Sequence, residues 1–128
     1  MIAMKMEFLK DGSPDCPLIR LYEFKPSEAQ SLRRIALQLA RGRTEKVLLH
    51  EDQGILAIGA CKLALCRGDK DRGAFETSPL EFQWELTGGG WLSVSGLIRP
   101  FTRTDSSGFQ WLSDGRRVRI LLSHDGRW

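Results

Sequence analysis

Apolar residues at 29, 32, 35, 36 and 39 recur at three- and four-residue spacing, the one-sided stripe of an amphipathic helix. Gln30, Arg33, Arg34, Gln38 and Arg41 fall on the other side of the same wheel. Pro26 and Ser27 mark the start, with Gln30 three residues after Ser27 in a capping-box pattern. Gly42 is placed to stop the helix, and Arg41 and Arg43 suit the negative end of its dipole. The pattern predicts one helix over residues 27–41. A helix of this length is marginal alone and needs an apolar surface to lie on.

The remaining periodic segments alternate with period two or run apolar for a few residues, the signals of strands. Short strands are expected at 5–9, 18–24 and 45–50, and a long one at 55–67. Residues 18–24 are apolar on both sides of the alternation and read as a central strand. Phe82, Trp84 and Leu86 alternate with Glu81, Gln83, Glu85 and Thr87. Gly88-Gly89-Gly90 then reads as a hairpin turn, with the return strand over 91–99 and Pro100 ending it. A last hairpin is expected about Asp114-Gly115, between 109–112 and 117–123. The tripeptide Phe-Gln-Trp occurs at 82–84 and again at 109–111, which the preference of strands for aromatic residues explains without a duplication.

The order β-β-α-β-β-β-β-β-β predicts a single α+β domain over residues 1–128. Its expected architecture is a mostly antiparallel curved sheet, or partly closed barrel, of about 7–8 strands packed on the one helix. A sheet wrapped around that helix is the alternative by element order. With 128 residues, 41% hydrophobic and 27% charged, the chain is long enough to bury a core without disulfides or metals.

No apolar run approaches the roughly 20 residues of a membrane-spanning helix. The charges at Lys5 and Glu7 come too early for a secretory leader, so a cytoplasmic location is expected and no membrane partner. Three cysteines, an odd number, fit a reducing compartment. Cys61 and Cys66 are an odd number of positions apart on one expected strand, so they face opposite ways and act as apolar filler.

Net charge is +3, and thirteen of the nineteen basic residues are Arg, the side chain suited to bidentate contact with carboxylates or phosphates. Residues 1–43 and 99–128 are each net +3, and the segment between them is net −3. The densest basic stretch is Arg116, Arg117 and Arg119; Arg33, Arg34, Arg41 and Arg43 form a second one on the helix. Together with Trp91 and Trp128 they are the candidate binding surface, on which Trp111 or Phe101 could also stack. The alternative role for these arginines is to pair with Glu81 and Glu85 across a wet sheet face.

Acid–base equipment is sparse. His50 and Asp52 lie at the end of a strand, and His124 lies near the C-terminus; these three are the candidate pocket residues. Their spacing matches no metal-ligand signature, so no metal and no cofactor is expected. Asp69 and Asp71 have a calcium-loop spacing, but Lys70 and Arg72 within the loop oppose a cation. The triple glycine lacks the following helix and lysine of a phosphate loop.

The leading expectation is a small non-enzymatic binding or interaction domain whose partner is a protein or a second copy of the chain. A ligand-binding or enzymatic barrel, with a pocket between helix and sheet, is the first alternative. Nucleic-acid binding through the arginine-rich surfaces is the second.

Overall fold

The computed structural model describes residues 3–115 and 117–128. Their order is β1 (Met4–Leu9), β2 (Leu18–Tyr22), α1 (Pro26–Ala40), β3 (Lys46–Leu48), β4 (Ile55–Ile58), β5 (Lys62–Arg67), β6 (Gly73–Ser78), β7 (Glu81–Leu86), α2 (Gly88–Ile98), β8 (Phe109–Ser113) and β9 (Arg119–Ser123). Short 3₁₀ turns follow β3 at Leu49–Glu51 and α2 at Arg99–Thr102. No helix among the described residues is long and apolar enough to cross a membrane.

The fold is α+β, as the sequence pattern implies, but it has two helices and two sheets. Five strands lie in the order β4-β1-β2-β9-β8 and four in the order β3-β5-β7-β6. The expectation of a mostly antiparallel sheet is corrected: β1–β4, β2–β9 and β5–β7 are parallel pairs. The sheets meet at one antiparallel bridge, Ala74 to Val118, and do not close into a barrel. Strand β2 is central, between β1 and β9, and the β8–β9 hairpin forms as expected.

Helix α1 buries Ala29, Leu32, Ala36 and Leu39. It starts one residue earlier than expected. Glu28, not Gln30, closes the first turn by accepting the Lys25 N–H at 2.9 Å. Its C-terminal carbonyls are capped from β5, where Arg67 Nη1 donates to Leu39 O at 2.8 Å and Ala40 O at 2.7 Å.

Two expected strands are overturned. The run 55–67 breaks because Gly59 and Ala60 both adopt positive φ, at 65° and 61°. The chain turns there, so β4 joins the five-stranded sheet and β5 the four-stranded one. The hairpin about the triple glycine does not exist: β7 pairs with β5 and β6, and residues 88–98 are helix α2. This helix buries Trp91, Val94, Ser95 and Ile98, spaced at helical intervals. Its start is held by Thr87 Oγ1, which accepts the Gly90 N–H at 3.1 Å. Asp71 Oδ1 in turn accepts the Thr87 N–H at 2.8 Å and its hydroxyl at 2.9 Å.

Glycine is a poor helix former, but close approach selects it here. A Cβ on Gly88 would lie 2.9 Å from the Ala40 carbonyl oxygen, and one on Gly90 would lie 2.5 Å from Asp71 Oδ1. Gly90→Ala is therefore expected to displace the Asp71 cap and to destabilise the domain by about 1–2 kcal/mol. Urea unfolding of the variant against the parent chain measures this.

One core joins the elements. Met4, Met6, Ile19, Leu21, Ile120 and Leu122 from one sheet, Leu63, Leu65, Phe82 and Trp84 from the other, and the buried stripes of both helices form a single cluster. Leu18 and Leu121 are also fully buried but lie outside that cluster. The register puts both on the opposite, outer face of the five-stranded sheet, so something else must cover them.

Candidate functional site

The residues singled out by the sequence are dispersed. His50 sits in the 3₁₀ turn after β3, where its Nδ1 accepts the Leu63 N–H at 3.1 Å. Asp52 Oδ1 accepts the Gly54 N–H at 2.8 Å and lines a narrow crevice beside Glu28 and Leu32 of α1. His124 follows β9, edge-on to the Phe24 ring at 5.8 Å. Each of the three has its own surroundings. No group of three or more His, Cys, Asp or Glu suited to a metal occurs among the described residues.

Arg34, Arg41 and Arg43 are exposed and Arg33 is half-buried. Arg117 lies over the Phe75 ring of the four-stranded sheet at 5.9 Å, whereas Arg119 turns to Asp15 at 2.7 Å on the five-stranded sheet. Arg116 lies outside the described residues. Trp91, expected at the surface, is fully buried. Its indole packs on Trp84 at 4.8 Å and its Nε1 donates to the Cys66 carbonyl at 2.9 Å. It is buried because 88–98 is a helix lying on α1, not a strand returning through solvent. Cys61 and Cys66 are buried as apolar filler, and burial pushes the Cys61 thiol up to about 11.

Chemistry gathers on the outer face of the five-stranded sheet. Register aligns Glu7, Arg20, Leu121 and Trp111 in one cross-strand row, and Lys5, Tyr22, Ser123 and Phe109 in the next. The residues after β9 fold back over these rows. Gly126, at φ 85°, passes so close that a Cβ there would lie 2.9 Å from the Tyr22 ring. Its carbonyl accepts Arg20 Nη1 at 2.9 Å. Ser123 Oγ donates to the Arg127 carbonyl at 2.5 Å, and Trp128 Nε1 donates to Asp15 Oδ2 at 3.0 Å. This strap of residues 124–128 lies on the face of the sheet that carries Leu18 and Leu121.

Arg20 is the clamp on which the strap closes. It stacks on Tyr22, 4.0 Å from the ring centre, and its Nε and Nη2 donate to Glu7 Oε1 at 3.0 and 2.6 Å. Tyr22 Oη donates to the same oxygen at 3.0 Å. Burial opposes ionisation of Glu7, but the hydrogen bonds from Arg20 and Tyr22 outweigh it and hold the carboxyl below its ordinary 4.5. A depressed folded-state pKa stabilises the fold fully above the unfolded value, and that stability is lost as pH falls through the folded value. Acid titration of the unfolding midpoint should therefore show a loss below pH 4.5 that is shallower in Glu7→Gln.

Beside the strap, Phe109, Trp111 and Trp128, with Asp15, Arg127 and Pro14, line a groove of about 710 Å³. Phe109 and Trp111 stand edge to face, 6.4 Å apart, and Arg119 lies over Trp111 at 5.8 Å. Asp15 is neutralised by Arg119 on one oxygen and accepts the Trp128 indole on the other. Strand β8 is an end strand of its sheet, so one side of its backbone has no strand partner among the described residues. The two Phe-Gln-Trp copies do opposite things: Phe82 and Trp84 point into the core, while Phe109 is 46% exposed on the outer face. Two aromatics two positions apart on a strand share a face, so Phe109 could have been added to Trp111 from sequence. Asp15 could not, being 113 positions from the Trp128 it holds.

No protein-family model matches this chain, no curated protein matches its sequence, and no solved structure matches its fold.

Proposed function

We propose that this domain is a non-catalytic binding module that takes an extended peptide segment along the free edge of β8, with side chains of the peptide seated in the groove of Phe109, Trp111 and Trp128. The observation that carries the reading is the coincidence of a strand edge with no strand partner among the described residues, where Gln110 Nε2 occupies the Trp111 carbonyl at 3.0 Å, with three exposed or half-exposed aromatic side chains. Backbone pairing with an edge gives affinity without sequence preference, and adjacent pockets add specificity. Aromatic side chains dominate interface energetics because they bury large area on few rotatable bonds. Arg127 borders the groove and makes no ion pair among the described residues, so peptides with acidic side chains are favoured.

Selection from a random-sequence peptide library displayed against the folded protein tests this. Enrichment of extended sequences with acidic and apolar positions, whose binding falls in Trp111→Ala, supports the reading. Peptides that bind Trp111→Ala as well as the parent chain contradict it. A rival occupant of the same edge is a second copy of the chain, which sedimentation would reveal as a concentration-dependent mass. Single-stranded nucleic acid stacking on the same aromatics is the second reading, favoured by Arg119 over Trp111; retention of an oligonucleotide that weakens steeply with salt would support it instead.

A further inference from the structure

We propose that the outer face of the four-stranded sheet holds a second site, for a small organic anion, independent of the β8 groove. The register builds its floor. Leu48 of β3 lies opposite Ala64 of β5, and Ala64 lies beside Gln83 of β7. A single methyl between two longer side chains leaves a hollow, and a cavity of about 300 Å³ occupies it, bordered by Lys46, Lys62 and His50. That volume is at the lower end of the range of small-molecule pockets, roughly 300–1,000 Å³.

Three cationic or proton-donating side chains border the hollow, Lys46 level with Cys66 of β5 and Lys62 four residues before it. Lys46 makes no ion pair among the described residues, and Lys62 Nζ is only loosely paired, 3.7 Å from Glu81 Oε1. Glu81 is itself engaged, because Oε2 accepts the Ser78 hydroxyl at 2.5 Å. His50 is oriented by the backbone. Because Nδ1 accepts the Leu63 N–H, the proton of the neutral ring resides on Nε2, which is left to donate. Two ammonium groups against one carboxylate give the site an excess of positive charge, and one imidazole N–H adds a directional donor. Leu48 and Ala64 provide an apolar bed. The ligand class this fits is a carboxylate or phosphate monoester with a compact apolar body, its oxygens on the lysines and His50 Nε2 and its body over Ala64.

The test is a titration of the isotope-labelled full chain, followed through backbone amide shifts, with benzoate, phenyl phosphate and inorganic phosphate. Benzoate or phenyl phosphate should bind saturably, with shifts centred on Leu48, His50, residues 62–64 and Gln83. Whichever of the two binds tighter identifies the head group. Inorganic phosphate should bind at least tenfold more weakly than phenyl phosphate, because it has no body to fill the hollow. Ala64→Leu, which fills the hollow from an outward-facing position, should abolish binding. Lys46→Glu, on an exposed side chain, should weaken it at least tenfold while the spectrum stays folded. The site is overturned if neither aromatic anion shifts those amides at about 10 mM, a level that detects Kd values near 1 mM. It is equally overturned if inorganic phosphate binds as tightly as phenyl phosphate, or if both variants bind like the parent chain.

Discussion

Replacing Trp91 with alanine is expected to remove about 4 kcal/mol of stability, the upper range for losing a buried aromatic side chain. The indole is fully buried, stacks obliquely on Trp84 and satisfies the Cys66 carbonyl. Alanine would leave a cavity between α2 and β7 and an unpaired buried acceptor. Trp91→Phe should cost less, about 1–3 kcal/mol, since it keeps most of the volume and loses the hydrogen bond. The neighbours separate a helix from a strand. Leu92 and Val94 would share one face of a strand, but here Leu92 is 59% exposed and Val94 is buried. Leu92→Ala should therefore stay within about 0.5 kcal/mol of the parent chain, whereas Val94→Ala should cost about 1–3 kcal/mol. Equal effects at the two positions, read from urea unfolding midpoints, would mean that 88–98 is not the helix described.

The second large effect is on binding. Truncating the aromatics of the groove should weaken a library-selected peptide by about 2 kcal/mol for Trp111→Ala, a loss near 30-fold, because central buried aromatics carry most interface energy. Trp128→Ala should fall in the same direction and also free Asp15 Oδ2. Calorimetry on both variants measures this. Arg34→Ala, on the exposed side of α1, should leave affinity unchanged. Gly126→Val tests the strap, whose Gly126, Arg127 and Trp128 also line the groove. It forces a β-branched residue to φ 85° against the Tyr22 ring, and so should lift residues 124–128 and break the Arg20 to Gly126 and Trp128 to Asp15 hydrogen bonds.

How far the sequence reaches is clearest element by element. Helix α1 was legible because its stripe, its proline and its terminal glycine agree, and the β8–β9 hairpin was legible from Asp114-Gly115 between apolar runs. Helix α2 was not. Its three glycines mimic a hairpin turn, and Ser93 and Ser95 mimic the wet face of a return strand. What makes it helical is remote: Asp71 at its start, and the end of α1 against Gly88. The break at Gly59 and Ala60 had only one local mark, a glycine inside an apolar run, and its consequence, a change of sheet, is set by pairing partners far along the chain. Strand β6 carries no clear alternation; its pairing with β7 decides it.

The same division holds for the sites. Trp128, Trp111 and Arg119 could be named from composition and strand spacing. The groove they form could not, because the loop carrying Asp15 and the strap carrying Trp128 come together only through the five-stranded sheet. His50 stands out in the sequence as a titratable residue, yet it shares its cavity with Lys62 and Glu81 from adjacent strands, while Asp52 lines a different crevice and His124 packs on Phe24. Trp91 is buried rather than exposed because its element is a helix and not a return strand.

Peptide capture along the β8 edge is tested most directly by amide hydrogen exchange with and without a library-selected peptide. Addition along that edge predicts slowed exchange at alternate residues of Phe109–Ser113, with β4, the other end of the same sheet, unchanged. Protection that appears on β4 or on the helices, with β8 exchanging as before, would contradict it.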